Sequence, residues 1–211
     1  MRNLILTGSF DQPAYFGNDT LFSNAYADLF IAKYNKHGDI VWVRQPKASY
    51  ITVPGHGITL NNNNVYVTGT LKGMAVFGSD TVNSVSTNGD MFAARYDSGG
   101  TFMGLAHVVI AEGSSVCVDN SGSVFVTGGF YNTVTFGSNP SLSSHGQFDI
   151  FIAKSSAVIG IEEHRIIVNN QLLIYANPTT GICNVTIPDE FQKEKHITLN
   201  PNYAVNFLNG A

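Results

Sequence analysis

A segment of about 60 residues occurs three times in this chain, and that repetition limits the fold more tightly than any local propensity. A chain that repeats itself at such a period builds one supersecondary unit several times and buries each copy against the next. Ile5-Leu6-Thr7-Gly8-Ser9-Phe10 returns as Tyr66-Val67-Thr68-Gly69-Thr70-Leu71 and again as Phe125-Val126-Thr127-Gly128-Gly129-Phe130, at offsets of 61 and 59. Phe16-Gly17, Phe77-Gly78 and Phe136-Gly137 keep the same two offsets. Asp28-Leu29-Phe30-Ile31-Ala32-Lys33-Tyr34, Asp90-Met91-Phe92-Ala93-Ala94-Arg95-Tyr96 and Asp149-Ile150-Phe151-Ile152-Ala153-Lys154 follow at 62 and 59.

Within a copy, short apolar and β-branched runs alternate with Asn, Asp, Ser and Gly, which is the punctuation of strands and tight turns. Gly57 to Leu60 and Val65 to Thr70 flank Asn61-Asn62-Asn63-Asn64, and Val116 to Asp119 and Val124 to Thr127 flank Asn120-Ser121-Gly122-Ser123. Each pair reads as a hairpin, since Asn and Gly accept the positive φ of a tight turn. A second hairpin joins Leu29–Tyr34 to Ile40–Arg44 through residues 35–39, and Met91–Tyr96 to Phe102–His107 through residues 97–100. Two hairpins give a four-stranded unit, with a short extra strand ending at the Phe-Gly landmark. Runs such as Val65-Tyr66-Val67 are apolar at successive positions, so both faces of these strands are expected to be covered by neighbouring sheets. Tyr66, Phe125 and the lone Trp42 then belong between units, with carbohydrate stacking as the lesser alternative for Trp42.

Composition agrees with this all-β reading. Charged residues make up 12% of the chain, about half the usual share. Hydrophobic residues reach 44%, with 14 Phe and 9 Tyr for a core. The net charge of −4 is spread without a Lys/Arg stripe, so nucleic acid is not an expected partner. The opening residues turn polar too early for a secretory signal, and no apolar run has the length of a membrane span. Cys117 and Cys183 fall in segments of different character and form neither a disulfide framework nor a metal-spaced pair.

The succession Val-Tyr-Val-Thr-Gly, Phe-Gly, Asp-x-Phe-x-Ala-Lys/Arg-Tyr and Gly-x-x-x-Trp (Gly38 to Trp42) resembles the SBBP-type β-propeller repeats of large bacterial surface proteins. The resemblance implies three propeller-like blades of about four antiparallel strands over residues 1–156, in copies of about 3–56, 57–113 and 114–154. Closed propellers use about four to eight blades. Copy one begins inside its first hairpin and copy three lacks its last strand, so an incomplete propeller, truncated at both ends, is expected.

After a connector over 157–170, Leu172-Leu173-Ile174-Tyr175, Asn177-Pro178-Thr179-Thr180-Gly181 and Ile182-Cys183-Asn184-Val185-Thr186-Ile187 read as strand, turn and returning strand. Together with Gly160-Ile161-Glu162-Glu163 they resemble the C-terminal sorting domain of type IX secretion substrates, a small β-sandwich-like module expected over 171–211. Tyr175, Asn177, Pro178, Thr179 and Gly181 match its motif, with Ala176 where that family has a proline. The family's terminal strands have no counterpart after Leu199. The resemblance implies the type IX secretion machinery as a partner and a secreted or cell-surface location.

The residues suggest no catalytic constellation. His37, His56, His107, His145, His164 and His196 lack the spacing of shared metal ligands and are expected mostly in solvated turns or near termini. Glu162-Glu163 and Asp189-Glu190 are adjacent surface acids rather than a pair straddling a substrate. Asp119-Asn120-Ser121-Gly122 reads as a hairpin turn in preference to a calcium loop. Asp28, Asp90 and Asp149 recur at one place per copy, where a carboxylate either caps a turn, the favoured reading, or binds a ligand. No cofactor and no metal are expected. The function expected is a non-enzymatic exported scaffold whose loops bind an extracellular protein or glycan. The alternatives are an accessory propeller of a larger secreted peptidase or glycosidase, and a structural stalk.

Overall fold

The computed structural model describes residues 3–23, 26–49, 54–84, 86–137 and 139–155. Among them the fold is all-β, with no helix. The connector 157–170 and the module expected over 171–211 lie outside the described residues.

The first unit comprises β1 (Leu4–Phe10), β2 (Ala14–Phe16), β3 (Asp19–Leu21), β4 (Asp28–Tyr34) and β5 (Ile40–Arg44). Its main sheet runs β1-β4-β5, and β2 pairs with β3 as a small hairpin between β1 and β4. A bridging strand follows, β6 (Lys47–Ser49). The second unit holds β7 (Gly55–Asn61), β8 (Asn64–Leu71), β9 (Gly73–Phe77), β10 (Asp80–Ser84), β11 (Asp90–Tyr96) and β12 (Phe102–Val108). Its sheet has four strands in the order β12-β11-β8-β7, while β9 and β10 form the side hairpin and β6 adds to the free edge of β9. The third unit has β13 (Ala111–Val118), β14 (Val124–Phe130), β15 (Thr133–Val134), β16 (Leu142–Ser143) and β17 (Asp149–Ser155), with β13-β14-β17 as its sheet. Every pairing is antiparallel. The extra strand expected at the Phe-Gly landmark is present as β2 and β9, and each belongs to a hairpin that turns on that glycine.

Turn chemistry explains the hairpins. Asn62 and Asn63 stand at φ 47° and 65°, the paired left-handed geometry of a two-residue hairpin loop. Three other turns share one design, Asn/Asp-x-x-Gly-x. Asn35 Oδ1 accepts the N–H groups of His37 and Asp39 at 2.8 and 3.0 Å. Asp97 Oδ1 accepts those of Gly99 and Thr101, both at 2.8 Å, and Asp119 Oδ1 those of Ser121 and Ser123 at 2.9 and 2.8 Å. Gly38, Gly100 and Gly122 supply the positive φ that closes each loop.

That shared design yields a pH prediction. The Thr101 N–H, with help from Gly99, holds the exposed Asp97 carboxyl below its ordinary value of 3.8. A depressed folded value means that the stabilisation is complete above the unfolded pKa and is lost as pH falls through the folded one. Asp97→Asn keeps the acceptor, as Asn35 does in the first unit, and removes the titration. Its Tm should match the parent at neutral pH and fall less steeply below about pH 4, measured by thermal denaturation across an acid series.

The three sequence landmarks meet in one contact per unit. Phe16 packs on Phe30 at 5.0 Å between ring centroids, Phe77 on Phe92 at 5.1 Å and Phe136 on Phe151 at 4.8 Å. Gly8, Gly69 and Gly128 lie against those second rings so closely that a Cβ would stand 3.0, 2.9 and 3.0 Å from them. The Phe-Gly, Asp-x-Phe and Thr-Gly patterns therefore recur together because each copy must rebuild the same lock.

Two apolar clusters join the units. Leu29, Ile31 and Trp42 of the first meet Val65, Val67, Leu71, Phe77 and Phe92 of the second. Tyr66, Met91, Ala93 and Val108 of the second meet Val116, Val124, Val126, Phe130 and Phe151 of the third. Val65 and Tyr66 thus serve opposite faces of one strand, which is why β8 reads as a continuous apolar run. Each large side chain so buried contributes roughly 1.5–3 kcal/mol. Trp42 sits where expected, its Nε1–H donating to Ser98 O at 3.0 Å across the first junction. Phe125 is only half-buried, with Lys154 Nζ 5.3 Å from its ring.

Candidate functional site

The acids that open β4, β11 and β17 pair with Phe10, Leu71 and Phe130 across the sheet, so all three mark the same end of their units. All three are buried, and a buried carboxylate must find donors. Asp28 Oδ2 accepts from Gln45 Nε2 at 3.0 Å. Asp90 is bound twice: Oδ1 accepts the Ile110 N–H and Oδ2 meets His107 Nε2, both at 2.9 Å. Asp149 Oδ2 accepts the His145 N–H at 2.8 Å. Gln45 and His107 each follow their acid by 17 residues, so the first two units use the same position for the donor. The carboxylates fasten the loops at this end of the sheets, the turn-capping role favoured from the sequence.

The histidines divide differently from the expectation. His37 lies in the first Asx turn and His145 in the loop before β17, as solvated residues do. His56 and His107 are strand residues, because their sheets carry donors to acceptors across a junction or a strand end. His56 Nδ1–H donates to Gly113 O at 2.8 Å, linking the second unit to the third. His164 and His196 are outside the described residues, as are Tyr175, Asn177, Pro178, Thr179 and Gly181 of the sorting motif. The Asp119 carboxylate is taken up by its own hairpin, accepting the Ser121 hydroxyl at 2.7 Å besides the two N–H groups. Cys117 is an exposed residue of β13 whose thiol pKa is pushed up by partial desolvation and by the nearby Asp119 carboxylate. Among the described residues no three of His, Cys, Asp and Glu are grouped to hold a metal, and no helix is long and apolar enough to cross a membrane.

The Asp90 tie positions something the sequence did not single out. Ile110 stands at φ 63°, a left-handed conformation that costs a β-branched residue of order 1–2 kcal/mol. Asp90 holds its N–H, and its carbonyl accepts the Tyr131 N–H at 3.3 Å, so both sides of the strained peptide are pinned. Tyr131 is followed by Asn132, also left-handed at φ 56°. Between these residues and the β10–β11 loop lies a cleft of about 340 Å³ lined by Ser86, Thr87, Asn88, Val109, Ile110 and Asn132. Every lining residue is uncharged. The exposed Val109 gives the cleft a mainly apolar surface, beside which Ser86, Thr87, Asn88 and Asn132 bring hydroxyl- and amide-bearing residues. A local signal for Ile110 was lacking, since the residue is neither Gly nor Asn and its strain arises from contacts with two different units.

No protein-family model and no curated protein matches the chain.

Proposed function

We propose that this chain is a non-enzymatic exported scaffold, three blades of a β-propeller whose loops bind a glycan at the cell surface, delivered by the type IX secretion machinery through residues 171–211. The observation that carries the reading is the uncharged cleft at the Asp90 end, lined in part by the strained Ile110 peptide. Strain retained where the surrounding structure over-determines it is characteristic of ligand clamps. The Phe lock and the Asp tie recur in each unit while the residues beside them change, as Gln45-Pro46 against His107-Val108-Val109-Ile110. A constant frame with variable loops is the usual division of labour in binding domains. Among extracellular ligands, a neutral saccharide offers hydroxyls to Ser86, Asn88 and Asn132 and C–H faces to Val109.

The test is a screen of neutral and charged oligosaccharides against the immobilised chain. Binding of a neutral glycan is expected, weakened about tenfold by Asn88→Ala, the loss of roughly one hydrogen bond. Asn132→Gly, which keeps the left-handed backbone, should weaken it similarly. Recognition confined to charged glycans, or insensitive to both substitutions, would remove the cleft from the reading.

A further inference from the structure

The two outer faces of the repeat array are the two halves of a contact that the chain already makes twice. Positions on β8 that face the first unit, Val65 and Val67, are 0% exposed, and their counterparts on β1, Leu4 and Leu6, are 55% and 40% exposed. On the opposite face, Met91 of β11 packs against the third unit at 3% exposure, while its counterpart on β17, Ile150, is 38% exposed. The pattern follows from position alone. In an array where every unit has the same two faces, an internal unit covers both, and each end unit presents one.

The partner halves are of opposite kind. The face carrying Leu4 and Leu6 corresponds to the one that receives Leu29, Ile31 and Trp42 at the first junction. The face carrying Ile150 and Ile152 corresponds to the one that inserts Tyr66, Met91 and Ala93 at the second. The equivalence extends to the flanking cations: Arg95 lies over the Tyr66 ring at 6.0 Å and Lys154 over the Phe125 ring at 5.3 Å. One surface therefore fits the other and not itself.

We infer that a second copy of this chain docks on these faces head to tail, the Ile150 face of one molecule against the Leu4–Leu6 face of the next. Such a heterologous contact closes into a ring where the rotation between units permits and otherwise extends. Two copies of the three described units make six, within the range of closed propellers. The inference stands apart from what the cleft binds.

Sedimentation velocity of the full chain over the micromolar range should show a dimer or larger species. Leu6→Lys disables one face and Ile150→Lys the other, both at half-exposed positions where a lysine leaves the unit folded, as circular dichroism would verify. Each variant alone should be monomeric, and mixing them should restore a 1:1 complex that grows no further, because one intact junction remains. A parent chain that is monomeric throughout the range overturns the inference, whatever the behaviour of the variants. So does a single variant that still self-associates as the parent does, since that would mean like faces meeting or a contact elsewhere.

Discussion

Phe92→Ala should cost about 3–5 kcal/mol, the upper range for emptying a buried aromatic site. The ring is fully buried, held by Phe77 on one side and by Gly69 on the other, and it takes part in the cluster that joins the first two units. Collapse around the void is restricted because its walls are the backbones of paired strands. A domain of this size has a total stability of roughly 5–15 kcal/mol, so the loss is a large part of the whole. Phe30→Ala provides the internal comparison: the residue occupies the same place in the lock, yet it is half-buried at the outer face of the first unit. Urea denaturation should give a markedly smaller loss for Phe30→Ala with an unchanged slope. Equal losses would show that the lock acts within each unit and draws nothing from the junction.

Gly69→Ala and Gly128→Ala should be nearly as damaging, through excess volume rather than a void. A methyl at Gly69 would run into the carbonyl oxygen of Pro54 as well as the Phe92 ring, and one at Gly128 into the carbonyl oxygen of Glu112 and the Phe151 ring. The outermost strands bulge over these glycines, between Gly55 and Gly57 in β7 and between Gly113 and Ser115 in β13. A side chain can turn aside, but a bulged and hydrogen-bonded backbone cannot, so a loss of about 3 kcal/mol is expected, at the upper end of ordinary overpacking. Gly8 is the control. A Cβ there would meet only the edge of Phe30, at 3.0 and 3.2 Å, and Gly8→Ala should cost less than about 1 kcal/mol. A Gly8 variant as unstable as the other two would place the origin of the glycine in strand conformation instead of crowding.

These contrasts mark how far the residues alone could be read. Strand boundaries in the second unit came within a few residues because turn chemistry is local: Asn62, Asn63 and the Asn/Asp-x-x-Gly-x loops carry their own geometry. The recurrence of Thr-Gly, Phe-Gly and Asp-x-Phe was plain in the sequence, but its cause was not, since three patterns separated by up to about 25 residues meet only after β8 and β11 pair. The pairing of β6 with β9 had no local signal, being an addition from one unit to the side hairpin of the next. The cleft was hidden for a related reason. Its lining comes from the β10–β11 loop, the β12–β13 connection and the stretch after β14, and its most informative residue, Ile110, is of a type that ordinarily avoids that backbone conformation. Histidines were misplaced where a strand position offered them a partner, Asp90 for the half-buried His107 and Gly113 for the exposed His56.

The crossing of β6 bears on how such an array could lengthen by gene duplication. A recombination that copied only the four main strands of the second unit would leave its side hairpin two-stranded, as β2–β3 and β15–β16 are in the flanking units. The segment that carries every strand of the second unit runs from Lys47 to Val108, beginning before the sheet it completes. Breakpoints between β5 and β6, in the short Gln45-Pro46 link, would insert a full module in frame with its neighbours. A duplicated copy of the second unit would thus be out of phase with its main sheet, offset by a single short strand.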